Sequence, residues 1–157
     1  MPLAIEENDV IKFINEFYDT AVRNIIDSAK LSKESYDGIY EGIRLLYHSG
    51  YCYHFASILK SAFNRGRLVW MAPFSHMAWE DTDTVVYDCE GKYEGEAFYA
   101  IPIDDIGENV DSFTHTKDPS TIHFPSKDEL ISVIKKYCKD SGETYCPEIE
   151  EYLRDDM

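Results

Sequence analysis

Three residue types able to do covalent chemistry together, a thiol, an imidazole and a carboxylate, occur in this chain in the order Cys52, His76 and Asp88. Cys52 lies in HSGYCYHFASILKSAF, just after a Gly-containing break and at the head of a helix-like run. A thiol in the first turn of a helix feels the partial positive charge of unpaired N–H groups, which favours the thiolate. The backbone N–H of Cys52 is expected to point outward, where it can donate to an oxyanion. The same residue also begins an apolar stripe continued by Phe55, Ala56, Leu59 and Phe63, where a cysteine packs well as a small hydrophobe. Residue type alone leaves packing and nucleophilicity both open.

Partners change the weighting. A nucleophilic thiol needs an imidazole to take its proton, and the imidazole needs a carboxylate to orient it. His76 and Asp88 lie on two strand-like runs, HMAWE and TVVYD, which flank the turn-like Asp81-Thr82-Asp83. A three-residue loop pairs Glu80 with Thr84 and sets His76 directly opposite Asp88. An even-numbered loop sends the two side chains to opposite faces. Under the odd loop, His76, Ala78, Val86 and Asp88 share one face, and Met77, Trp79, Val85 and Tyr87 share the other.

The elements that must position these residues are legible from periodicity. Val10, Phe13, Ile14, Phe17, Ala21, Ile25 and Ala29 recur at helical steps, with Asn8 or Asp9 as the N-cap. A second helix is expected from about Lys33 to Tyr47, and a third from Cys52 to the break at NRG. The pattern then turns to short strands: RLVWMA, HMAWE, TVVYD and AFYAIPI, with EGKYEG read as a turn. Residues 104–126 are polar, contain Pro119 and Pro125, and read as a long surface loop, a candidate lid. Ser126 and Glu129 form a capping-box signature before SKDELISVIKKYC, and Pro147 opens a short terminal helix. The order predicts an α+β fold: a helical N-terminal layer on a small antiparallel sheet, with a C-terminal helix. No linker divides the chain, so residues 1–157 are expected as a single domain. Its segments are N-terminal helices (1–47), the Cys-His-Asp region (48–103), and a loop with C-terminal helices (104–157).

Composition narrows the function classes. The 157 residues are 44% hydrophobic with a net charge of −15, which fits a globular protein better than a disordered one. Residues 1–76 hold 9 acidic and 8 basic residues, so nearly all the excess charge falls in the second half. That half repels nucleic acid and membrane headgroups and favours a cationic partner or substrate, although surface carboxylates also serve solubility alone. MPLAIEENDVIKF lacks the basic and apolar regions of a signal peptide, and no apolar run is long enough to cross a membrane. Four cysteines without CxxC spacing point to reduced thiols in a cytoplasm, and a Cys138–Cys146 disulfide has no support. Cys52, His54, His76 and Cys89 make a poor zinc set, because C-x-H splays its ligands on a helix and Cys89 alternates away from Asp88. No metal or cofactor is expected.

Taken together, GYCYHFASIL, HMAW and VVYDCEG resemble the core of papain-like cysteine enzymes, especially the transglutaminase-like branch. The signatures C-x-x-F-A, H-x-x-W and Y-D-x-x-G fall in family order over residues 48–95. The small acidic chain is also similar to products of phage or mobile-element genomes. The resemblance implies Cys52 as nucleophile, His76 as general base and acid, and Asp88 as orienting carboxylate, acting on a peptide or protein acyl group. It leaves hydrolysis and acyl transfer to an amine both open. The family's second oxyanion donor has no clear counterpart, and Tyr47, His48 and Tyr51 are the nearest candidates. Trp79 either walls a substrate channel, with Trp70, or fills the sheet–helix interface. The rival expectations are a non-enzymatic acidic binder, such as a nucleic-acid mimic or an inhibitor of a basic partner used against host defence, and an inactive enzyme of the same fold.

Overall fold

A computed structural model describes residues 8–114 and 116–153, without the side chains of residues 108 and 119. His115 and the terminal stretches 1–7 and 154–157, on which parts of the signal-peptide and terminal-helix expectations rest, lie outside the described residues. The chain is α+β, with three N-terminal helices, a five-stranded antiparallel sheet and a C-terminal helix.

Helix α1 spans Asp9–Ala29, and its N-cap Asn8 accepts from the Ile11 N–H at 2.8 Å. Val10, Ile14, Tyr18, Val22 and Ile26 form its buried stripe at helical period, so the face is rotated from the expected one: Phe13, Phe17 and Ala21 are half-buried, and Ile25 and Ala29 are exposed. A short 3-10 turn at Lys33–Ser35 leads into α2, Tyr36–His48. Helix α3 runs Cys52–Phe63 and stops at Asn64, which adopts the left-handed conformation (φ 50°) and donates its N–H to the Lys60 carbonyl. Gly50, the glycine of the break before α3, is not sterically required there: a Cβ would meet nothing and its φ is not positive.

Strands β1 (Arg67–Ala72), β2 (Met77–Glu80), β3 (Val86–Asp88), β4 (Gly91–Lys92) and β5 (Tyr99–Pro102) form one sheet in the order β4-β3-β2-β1-β5. Strand β4 occupies part of EGKYEG, so this segment is more than a turn. Arg67 pairs with Glu80 across β1 and β2, and their side chains form an ion pair at 2.6 Å. Arg65 grips the buried Asp81 carboxylate with two bonds of 2.7 and 3.0 Å. These charge pairs fix the register at the end of the sheet remote from His76.

The sheet face carrying Trp79 and Tyr87 packs under α1 and α3, with Val10, Ile14, Tyr18, Phe55, Ala56 and Leu59 filling the interface. Trp70, Ala72, Met77 and Ile101 pack with Cys52 against helix α5 (Lys127–Ser141), through its Leu130, Ile134 and Cys138. Val69, Met71, Ala78 and Val86 face the other way and are covered by Tyr93, Phe98 and Ala100. The alternation along each strand therefore sorts as the sequence pattern predicts.

Two readings of the second half change. Residues 104–126 are not a featureless loop: a helical stretch at Ile103–Val110 and the short helix α4, Asp111–Thr114, bury Ile106, Phe113 and Thr114. The apolar residues scattered through that polar segment are its anchors. At α5 the Ser126 side chain accepts from the Glu129 N–H at 3.2 Å, while the Glu129 carboxylate takes the His123 imidazole at 2.8 Å.

Candidate active site

The β2–β3 hairpin decides whether His76 and Asp88 meet. Trp79 pairs with Tyr87 and Glu80 with Val86, and the Asp81 N–H donates to the Val85 carbonyl at 2.9 Å. The three-residue loop is therefore 82–84, one position beyond the expected 81–83. Thr84 takes the left-handed conformation (φ 69°) at its third position, as three-residue loops commonly require. Asp81 and Asp83 accept from the N–H groups of Thr82 and Val85, which locks the loop in this frame. The shift moves the register by two residues, so the expected Glu80–Thr84 pair and the direct His76–Asp88 opposition do not form. A shift of two preserves facing parity. His76 and Asp88 stay on one side of the ladder and meet diagonally.

His76 immediately precedes β2, where the β1–β2 connection is closed by the Met71 N–H on the His76 carbonyl at 2.9 Å. The Trp70 indole N–H caps the Phe74 carbonyl within the same turn. The His76 Nε2–H donates to Asp88 Oδ2 at 2.9 Å, and the Glu90 N–H donates to Asp88 Oδ1 at 2.8 Å. With Nε2 committed, Nδ1 is the nitrogen available to the Cys52 thiol, which hydrogen-bonds His76.

Cys52 is the first residue of α3 and is 7% exposed. Its sulfur accepts the Met77 N–H at 3.4 Å and a further N–H from Tyr53. Burial acts to raise its pKa, but the His76 hydrogen bond and the two backbone donors outweigh it, and the thiol is lowered below its ordinary value. Burial likewise opposes charge on His76, yet the bonds to Asp88 and Cys52 prevail and push it up to about 9. The two opposite shifts favour the thiolate–imidazolium form of the coupled pair. Cys52 packs in the core with its helix while its sulfur lies beside His76, so packing and a reactive placement are compatible at this position.

A cleft of about 400 Å³ opens over the thiol, lined by His48, Ser49, Gly50, Cys52, Ser75, Ser112, Phe113 and Phe124. Phe113 packs on Trp70 at 5.0 Å, so α4 forms part of the cleft wall. These wall residues beyond residue 103 were hidden by reading 104–126 as solvated loop. The signal that could have found them is the pair of phenylalanines in an otherwise polar stretch.

The auxiliary candidates fare differently. Trp79 is fully buried, stacks on Phe63 at 5.5 Å and spends its N–H on the Arg65 carbonyl, so it fills the sheet–helix interface and walls no channel. Tyr47 packs among Phe17, Tyr18 and Phe55, away from the cleft, and cannot serve as an oxyanion donor there. Tyr51 is exposed, lies 5.2 Å from the His54 ring and is not part of the cleft lining. His48 does line the cleft, with its ring 6.0 Å from that of His76. The four cysteines are free, so Cys138 and Cys146 are not joined. The set Cys52, His54, His76 and Cys89 does not assemble as a metal cluster among the described residues, whereas His48, Cys89 and Glu90 bring one donor atom each within 4.8 Å of one another. No helix among the described residues is long and apolar enough to cross a membrane.

Comparison with protein-family models, with curated proteins and with solved structures returns no match.

Proposed function

We propose that this protein is a cysteine-dependent acyl-transfer enzyme with a papain-like core of the transglutaminase-like kind, acting as a peptidase, an amidase or a transamidase. One observation carries the reading: a hydrogen-bonded line from the Cys52 thiol through His76 to a buried Asp88, set at a helix N-terminus beneath an open cleft. Structural packing alone does not need a lowered thiol and a raised imidazole side by side.

In this mechanism the Cys52 thiolate attacks the carbonyl carbon of an amide, forming a C–S bond and a tetrahedral oxyanion. The first-turn N–H groups of α3, that of Cys52 foremost, have no partner within the helix and stabilise the oxyanion. His76 Nδ1 gives its proton to the departing nitrogen, and the C–N bond breaks to release an amine and an acyl-enzyme. Water or an acceptor amine then attacks, His76 takes the incoming proton, and the thiolate is expelled. Asp88 holds the ring with Nε2 protonated throughout, as its 2.9 Å bond requires.

The substrate is a peptide or protein, and the net charge of −15 favours a cationic one over nucleic acid. The mechanism requires a reduced thiol, and a reducing, cytoplasmic setting fits the four free cysteines.

Alkylation mapped by peptide mass spectrometry tests the nucleophile. Cys52 should react with iodoacetamide near neutral pH well before the other three. Burial raises Cys89 to about 12 and also raises Cys138, while the hydrogen bond to Glu148 raises the exposed Cys146. Equal, slow labelling of all four refutes the assignment. Amide turnover abolished by Cys52→Ala supports an enzyme, and rapid labelling without turnover marks an inactive relative. Salt-sensitive capture of a basic partner that survives Cys52→Ala marks an acidic binder instead.

A further inference from the structure

We propose that His48, Cys89 and Glu90 form a binding site for a zinc-type divalent cation beside the cleft, independent of the acyl chemistry proposed above. The three residues come from two elements that the fold brings together. His48 ends α2, while Cys89 and Glu90 are the two residues turning β3 into β4, between the paired Asp88 and Gly91. His48 Nδ1 lies 3.9 Å from Cys89 Sγ and 3.9 Å from Glu90 Oε1, so both donors converge on the same imidazole nitrogen.

Around a tetrahedral zinc, bond lengths of about 2.0–2.3 Å set donor atoms roughly 3.3–3.6 Å apart. The two His48 distances contract by about half an ångström on binding, and the Cys89 and Glu90 donors, which lie within 4.8 Å of each other, draw together with them. The exposed His48 side chain supplies most of this movement, and Glu90, held through its other oxygen by Arg44, turns Oε1 to meet it, whereas Cys89 is buried and its carbonyl is held by the Tyr18 hydroxyl at 2.8 Å. The donor set of imidazole, thiolate and carboxylate suits zinc or cobalt rather than calcium or magnesium, which take oxygen ligands. Arg44 binds Glu90 through Oε2 and leaves Oε1 towards His48, orienting the carboxylate from behind. Its guanidinium also opposes the incoming charge, which sets a moderate affinity. Coordination exchanges the Cys89 S–H proton for an S–metal bond and releases that proton to solvent, leaving the fourth position to water.

The site touches the proposed catalytic line at two points. His48 forms part of the cleft wall, and the Glu90 N–H holds the Asp88 carboxylate. An occupied site would fix His48 at the wall and slow access to Cys52, a consequence that rests on the acyl-transfer reading, whereas binding itself does not.

Cobalt(II) titrated into the full chain under a phosphine reductant reads the site directly, because thiolate ligation gives a near-ultraviolet charge-transfer band. One equivalent should bind with that band in wild type, in Cys52→Ala and in Cys146→Ser. His48→Ala, an exposed change that spares the core, should weaken binding at least tenfold, and Cys89→Ser should remove the band while circular dichroism stays native. A band lost with Cys52→Ala or Cys146→Ser, a band that survives both His48→Ala and Cys89→Ser, or no band at large metal excess each overturns the proposal. Failure of amide turnover leaves the titration unaffected, so the two readings are tested separately.

Discussion

Replacing Asp88 with Asn removes one charge from the thiol–imidazole–carboxylate line while keeping its shape, and the consequence can be worked from the hydrogen bonds. Asp88 accepts twice, from His76 Nε2 at 2.9 Å and from the Glu90 N–H at 2.8 Å. Asn has one acceptor oxygen and one NH2 donor, so in either orientation one of those donors faces another donor. If the amide oxygen stays on Glu90, its NH2 meets Nε2, which must then give up its proton, and the imidazolium is lost. If it flips, the ring is kept but the Glu90 N–H is orphaned. A hydrogen bond to a charged group contributes ~1.5–3 kcal/mol, which at about 1.36 kcal/mol per pKa unit corresponds to a shift of ~1–2 units. His76 should fall from about 9 towards its ordinary value, and the Cys52 thiol should rise as its partner charge weakens. On the acid limb, thiolate fraction falls tenfold per unit, so Cys52 alkylation there should slow ~10–100-fold. The assay is the rate of iodoacetamide modification of Cys52 from pH 5 to 10, followed by peptide mass spectrometry in both proteins. Superimposable profiles would refute the claim that Asp88 tunes the pair through His76.

Three further outcomes follow from the same structure. The folded-state value of about 9 for His76 exceeds the ordinary 6.5, so its contribution to stability is complete below 6.5 and lost as pH rises through 9. The lowered Cys52 thiol works in the opposite sense over the same window, so the imidazole is isolated in Cys52→Ala. Urea unfolding should show that variant losing on the order of 2 kcal/mol from pH 6.5 to 9 through the Asp88 bond and the Cys52→Ala/Asp88→Asn double variant losing clearly less, and parallel slopes would contradict the linkage. Phe55 is fully buried against Phe17, Tyr18 and Tyr47, so Phe55→Ala should cost ~3–5 kcal/mol in urea unfolding, and a loss below ~1 kcal/mol would mean the helix–sheet interface is packed differently. Ser126→Ala removes the acceptor that caps α5 and should cost ~1 kcal/mol, with Ser126→Asp largely preserving stability.

Local sequence determined the parts of this protein that rest on short-range physics. The existence and period of helix α1, the caps at Asn8 and Ser126, and the thiol at a helix start could be read without knowing any tertiary contact. Which face of α1 is buried could not: Tyr18, Val22 and Ile26 join Val10 and Ile14 there in place of the expected Ala21, Ile25 and Ala29. Parity along the β2–β3 hairpin was also legible, because alternating side-chain direction makes any odd loop keep His76 and Asp88 on one side. The frame of that loop was not. It depends on Thr84 accepting a left-handed backbone and on Arg65, sixteen residues upstream, holding Asp81 in place.

Only the tertiary structure decided which residues surround the thiol. Trp79 shares a signature with His76 yet points into the helix interface, since neighbouring strand residues alternate faces and the larger ring is drawn to the α1–α3 side. Phe113, some sixty residues beyond Cys52, closes the cleft because its apolar surface is buried more favourably against Trp70 than in water, while the exposed Phe124 lines the same cleft from farther along the chain. His48 stands four residues before Cys52, but its convergence with Cys89 and Glu90 exists only because the β3–β4 turn folds back against the end of α2. Sequence spacing specifies the reactive types and their faces, and long-range packing chooses their neighbours.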